Sequence, residues 1–158
     1  MKIFVSVGTH PQQFNRLLQE LDKLAGEKKL GADVFAQTGN SDFLPGNFGS
    51  GKFLSPKEME ERIRKSDLVI SHGGAGTIIG ALEQKKPLVI VPRLKKFAEH
   101  TNDHQCDLAI AMEKAGKAIA VLEIKQLESA IGKARAFKPK ESAGAEGIIR
   151  EIKSFLLQ

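Results

Sequence analysis

The 158-residue chain holds one cysteine, Cys106, and neither tryptophan nor tyrosine. A single cysteine excludes an intramolecular disulfide and fits a reducing compartment. The lack of Trp and Tyr leaves poor stacking platforms for single-stranded nucleic acid. No long hydrophobic run is present. The longest, Pro87 to Pro92, has the length of a strand, so no membrane span is expected. Met1 to Val5 is too short for the apolar core of a secretory signal, and Gly8 and His10 follow at once. A cytoplasmic protein is expected, touching a membrane only through something else. Neither charge sign is scarce: 24 Lys and Arg against 19 Asp and Glu give a net charge of +5. Such a balance suits nucleic acid, anionic lipid or a phosphorylated substrate. Much of it is lysine on helix surfaces, so charge alone decides little.

Strands alternate with helices along the chain. Lys2 to Val7, Asp33 to Thr38, Leu68 to Ser71, Leu88 to Val91 and Ala118 to Val121 read as strands. They are continuous apolar runs, the mark of a parallel sheet covered on both faces. Phe14, Leu17, Leu18, Leu21 and Leu24 recur at helical spacing, predicting a helix over 11–25. Ser55-Pro56-Lys57-Glu58 is a capping-box start for a helix ending near Lys65. Further helices are expected over 77–84, 103–115, 124–137 and 145–157. Residues 39–51 read as a glycine-rich loop, followed by a short extended piece, Lys52 to Leu54. A length of 158 residues suits one α/β domain. In such sheets ligands sit where strands lead into helices.

The segment His72-Gly73-Gly74-Ala75-Gly76-Thr77 lies between a strand and a helix. Free N–H groups and the helix dipole favour an anion there, and glycines let a phosphate approach. The competing reading is a tight turn with no ligand; the phosphate is favoured. The dinucleotide fingerprint is not met, since the spacing is Gly74-x-Gly76-x-x-x-Gly80 on a later strand. Gly46 to Lys52 is nearly a P-loop, but Phe53 stands where a magnesium-binding Ser or Thr is needed. His72-Gly73-Gly74 lacks the serine elbow that an esterase requires. His100 and His104 are four apart, yet Thr101 replaces the glutamate of a zinc protease, so no metal is expected. Glu99, His100, Asn102, Asp103, His104 and Gln105 cluster at a helix start, with Asn102 as the expected cap. They suit either sugar hydroxyls or plain solvation of a loop. Arg93, Lys95 and Lys96 could neutralise phosphates or serve as surface charge.

Taken together, Leu68 to Thr77, Lys86 to Arg93 and Glu99 to Gln105 resemble the C-terminal, donor-binding half of family 28 glycosyltransferases. Val5 to Thr9 and Gln37 to Gly39 match early motifs of its small split members. The resemblance implies one Rossmann-like domain over 1–158, equivalent to half of a GT-B enzyme. It implies a UDP-sugar as co-substrate, N-acetylglucosamine favoured, with no metal or other cofactor. Gly74, Ala75, Gly76 and Thr77 would hold the diphosphate, with Gly8 and Thr9 facing it. Asn102, Asp103 and Gln105 would line the sugar site, and Phe53 and Leu54 would flank uracil. A membrane-anchored, acceptor-binding subunit is implied as partner, and nucleic acid is not. His10 is the one candidate for a base in this chain. One position departs from the family: Gly80 stands where a ribose-binding glutamate is common, with Glu83 as a possible substitute. The last helix, bearing Ile148, Ile149, Ile152, Phe155 and Leu156, is expected to pack on its own domain rather than dock the partner.

Overall fold

The computed structural model of the protein describes residues 1–141 and 144–156. Six strands form one all-parallel sheet: β1 (Lys2–Ser6), β2 (Asp33–Gln37), β3 (Gly49–Gly51), β4 (Leu68–Ser71), β5 (Leu88–Ile90) and β6 (Ile119–Ala120). Their order across the sheet is β3-β2-β1-β4-β5-β6. The helices are α1 (Asn15–Gly26), α2 (Pro56–Lys65), α3 (Ala75–Glu83), α4 (His104–Lys114), α5 (Leu127–Ala134) and α6 (Gly144–Leu156).

The unbroken apolar strands follow from burial on both faces. In β1, Ile3 and Val5 join one core with Leu17, Leu21 and Ile131, from α1 and α5. Phe4, between them, joins the other core with Ile63, Ile78, Leu108 and Ile148, from α2, α3, α4 and α6. In β4, Leu68 and Ile70 point to the first core and Val69 to the second. The two-residue period of a strand thus feeds two helical layers. In α6, Ile148 and Ile152 are buried in the second core, so that helix packs on its own fold. Its expected last residue, Leu157, and the side chains of Phe155 and Leu156 lie outside the described residues.

Several boundaries differ from the sequence reading. Helix α1 starts at Asn15, not Pro11. Side chains intercept the amides before it: Gln12 N–H donates to His10 Nδ1, Phe14 N–H to Ser41 Oγ and Asn15 N–H to Gln13 Oε1. Strand β3 lies inside the expected loop, ahead of the extended piece predicted at 52–54. Its Gly-Ser-Gly sequence carries no apolar signal, yet it pairs with β2, and a Cβ on Gly49 would stand 3.3 Å from the Phe35 ring. Helix α3 begins two residues early, at Ala75, and α4 begins at His104. The helix expected over 124–137 is a 3-10 turn, Ile124–Gln126, followed by the shorter α5.

Between β1 and β4 the chain's strand order reverses. The loops leaving the carboxyl ends of these two strands diverge, and a crevice opens between them.

Candidate functional site

A cleft of about 460 Å³ occupies that crevice. One side is the first loop, with Gly8, Thr9 and His10; the other is the glycine loop, with His72, Gly74, Gly76 and Thr77. Ser6 and Gln37 form the floor, and Phe53, Leu54 and Met59 an apolar wall. Gln105 closes the remaining end.

Helix α3 aims its N-terminus into this space. Its first helical bond runs from Ile78 N–H to Gly74 O at 3.2 Å. The N–H groups of Ala75, Gly76 and Thr77 therefore stand outside the helical ladder, and Gly74 supplies no side-chain cap. These groups and the helix dipole make an anion seat.

The glycines are bare for different reasons. A Cβ on Gly74 would meet the His72 ring at 2.4 Å, and one on Gly8 would meet His72 Nε2 at 2.4 Å. The imidazole is wedged between the two loops, and neither neighbour has room for a side chain. Gly73 has φ +97°, a turn conformation that L side chains rarely adopt. A Cβ on Gly76 would meet nothing within 4 Å. Of the glycines in this loop, only Gly76 is bare toward open space.

A relay fixes the His72 ring. Arg93 N–H donates to Gln105 Oε1 at 3.0 Å, which orients the Gln105 amide. Gln105 Nε2 then donates to His72 Nδ1 at 3.2 Å. The neutral ring must carry its proton on Nε2, between Gly8 and Gly74. Burial, reinforced by the Arg93 guanidinium, holds the His72 pKa down to about 3. At neutral pH His72 is thus an uncharged N–H donor facing the cleft.

Two expected ligand contacts are corrected. Arg93 and Glu99 are fully buried and do not line the cleft. The Arg93 guanidinium donates to the carbonyls of Val7, Gln12, Gln13 and Glu99. Burial pulls its pKa down to about 10. Glu99 bonds Arg16 at 2.8 Å and accepts from Leu94 N–H. The two residues tie the loops after β1 and β5 to each other and to α1; sequence charge alone suggests exposure, which their burial contradicts.

The polar cluster is also divided. Only Gln105 reaches the cleft. Asp103 Oδ1 accepts from Lys95 N–H, and Asn102 Oδ1 accepts from His104 N–H. Asn102 and Asp103 therefore shape the loop and the start of α4. His100 stands behind His10, their rings stacked at 4.3 Å. Burial is the largest cause lowering both of their pKa values. His10 Nδ1 accepts Gln12 N–H, so the neutral ring carries its proton on Nε2. In that tautomer His10 presents an N–H donor, with its ring lone pair engaged by Gln12. Glu83 lines a separate cavity with Lys85 and Lys140, away from this cleft.

Ser6, Gln37 and Met59 belong to the site, although sequence reasoning missed them. The first two read as strand residues. Met59 lies one turn beyond the Ser55 cap of α2 and packs against the second core; only that spacing signals it. Gln37 is saturated: it accepts from Ser6 Oγ and Gly8 N–H, and donates to the carbonyls of Gly8 and Lys52. Among the described residues, no group of three or more His, Cys, Asp or Glu is placed to hold a metal. Nor is any described helix long and apolar enough to cross a membrane.

This fold recurs in known proteins. The chain resembles the solution structure of ALG13 with a TM-score of 0.63 at 17% identity, covering 96% of this chain and 94% of that one. It also matches the kitacinnamycin glycosyltransferase with a TM-score of 0.66 at 21% identity, covering 98% of this chain but 39% of that one. The fold is that of the C-terminal half of a GT-B glycosyltransferase. By sequence it is 35% identical over 123 residues to the human UDP-N-acetylglucosamine transferase subunit ALG13, which is 72% of this chain and 10% of that protein. It is 30% identical over 100 residues to the N-acetylglucosaminyltransferase of Prochlorococcus marinus (strain MIT 9312) that acts on pyrophosphoryl-undecaprenol, 62% of this chain and 26% of that protein. The chain thus spans a tenth to a quarter of these relatives. Residues 2–155 match the glycosyltransferase family 28 C-terminal domain, and the chain belongs to that family.

Proposed function

We propose that this chain is the donor-binding part of an inverting glycosyltransferase. It takes a hexose, N-acetylglucosamine favoured, from a UDP-sugar to a polyprenyl-linked acceptor, and works with a membrane-anchored subunit that binds the acceptor. The observation carrying this reading is the uncapped N-terminus of α3, opening onto a crevice with a neutral His72 N–H beside it. Family membership and the names of the relatives support the substrate class.

In this reading the diphosphate sits against the N–H groups of Ala75, Gly76 and Thr77, with Gly8 and Thr9 opposite. Uracil lies along Phe53, Leu54 and Met59. The sugar points toward Gln105, whose amide keeps one free N–H after its bond to His72. The acceptor hydroxyl oxygen attacks the anomeric carbon from the face opposite the diphosphate. The bond from that carbon to the β-phosphate oxygen breaks, and UDP leaves with the electron pair. The growing negative charge falls on the α3 dipole and the His72 Nε2–H, both fixed before reaction. The hydroxyl proton goes to a base on the partner, since His10 offers no free lone pair in its observed hydrogen bonding. No resident cofactor or metal enters the proposal. The chain is placed in the cytoplasm, held near the membrane through the partner, with no role for nucleic acid.

Saturation-transfer NMR with UDP-N-acetylglucosamine tests the donor site. Transfer to the uracil and sugar protons is expected, and silence from every nucleotide sugar would refute the reading. The lack of a free base in the cleft favours one rival, a nucleotide-sugar-binding regulatory module. Binding without any transfer, even beside a co-expressed membrane-anchored partner, would establish that rival.

A further inference from the structure

Resting on the nucleotide-sugar reading of the cleft, we propose that the site does not read the ribose of its nucleotide. Deoxyribonucleoside diphosphates and their sugar conjugates, thymidine ones included, then bind on a par with uridine ones.

A ribose diol in a doubly wound sheet is ordinarily held by a carboxylate near the end of a strand beside the crevice. A carboxylate accepts the hydroxyl proton in a charge-assisted bond. Here the end of β2 carries Gln37, and all its bonds are spent on Ser6, Gly8 and Lys52. The other wall is α3. Gly76 and Thr77 line the cleft, and the next residue on that face is Gly80. It offers no side chain, and its Cβ direction is taken by Ile63 Cδ1 at 3.1 Å.

Carboxylates on the segments that flank the cleft residues in sequence do not line it and are held by their own neighbours. Glu58 accepts from Ser55 N–H, Asp42 from Asn15 Nδ2, and Asp103 from Lys95 N–H. Among the described residues, none of those lining the cleft is acidic. What remains where the nucleoside lies is Phe53, Leu54 and Met59. That surface meets the methyl of thymine as readily as the edge of uracil. A 2′-hydroxyl finds no carboxylate acceptor whose loss would be felt when it is removed.

Calorimetric titration of the full chain with UDP, dUDP and dTDP tests this. Dissociation constants within about threefold of one another are expected, whereas a site that bonds the hydroxyl loses roughly tenfold or more with the deoxy analogue. UDP binding tenfold tighter than dUDP would overturn the inference and leave the nucleotide-sugar reading standing. Failure of all three to bind would overturn that reading itself. A second arm uses Gly80→Glu together with Ile63→Val, which removes the Cδ1 in its path, checked for folding by its thermal melt. A carboxylate on this face should raise the UDP preference over dUDP to about tenfold. An unchanged ratio in a folded variant would refute the placement of ribose against α3. Should the variant not fold, the wild-type comparison still decides.

Discussion

His72 gives the sharpest quantitative test. Its pKa falls from 6.5 to about 3 on folding, through burial first and the Arg93 guanidinium second. The folded state therefore prefers the neutral ring. Between those two values the unfolded chain binds the extra proton, so stability falls as pH falls below 6.5. Each unit of pKa difference is worth about 1.4 kcal/mol, so passing from pH 7 to pH 5 should cost about 2 kcal/mol through this residue. That is a large share of the roughly 5–15 kcal/mol holding a typical domain. The depressed carboxylates Glu27, Asp42, Glu61 and Glu141 lose their contributions at lower pH, below this window. His10 and His100 are lowered too and act in the same direction, which calls for a reference variant. His72→Asn keeps an acceptor for Gln105 and removes the titration. Urea unfolding of both proteins at pH 7, 6 and 5 should show the wild type losing about 2 kcal/mol more than the variant. Parallel curves would mean that His72 is not held neutral by its surroundings. The uncharged N–H donor in the cleft would then have no basis.

Gly74→Ala should displace the His72 ring, its Cβ standing 2.4 Å away, and cost about 1–3 kcal/mol in a thermal melt. Gly76→Ala meets nothing within 4 Å and should hold or raise the melting temperature. Its methyl would still crowd the anion seat, so weaker UDP binding in the same sample is expected. Arg93→Lys keeps a charge but leaves several of the buried carbonyls around the guanidinium without donors. A loss of about 1–3 kcal/mol in urea unfolding is expected, the usual cost of unsatisfied buried polar groups. Ser55→Ala removes one arm of the α2 capping box and should cost about 1 kcal/mol, with UDP affinity unchanged.

The sheet was legible because burial on both faces writes itself as apolar runs. The Phe4 and Val69 pattern needs no partner information to be read. Strand β3 was not legible: Gly49 to Gly51 is held by pairing with β2 and by the Phe35 ring, both distant in sequence. The glycine loop reads in sequence as a seat for an anion, but the reason its glycines are bare is not local. Local sequence could not show that Gly8, over sixty residues away, shares one imidazole with Gly74. Arg93 and Glu99 misled for a related reason. A charged residue in a polar loop reads as exposed, and only the fold brings four carbonyls around one guanidinium. Gln37 and Ser6 were hidden by their place in strands, where a polar residue at the last position gives no hint of facing a crevice.

The wedged imidazole also restricts how this loop can change over time. Gly74 has φ −76° and ψ 134°, which any L residue adopts, so only the His72 ring keeps it glycine. Gly8, at φ +82°, is restricted by its own backbone as well. A lineage that first shrinks residue 72 opens position 74 to side chains, while the reverse order passes through a clashing intermediate. Substitutions at 72 and 74 are thus coupled, and the order in which they arise determines which paths are open.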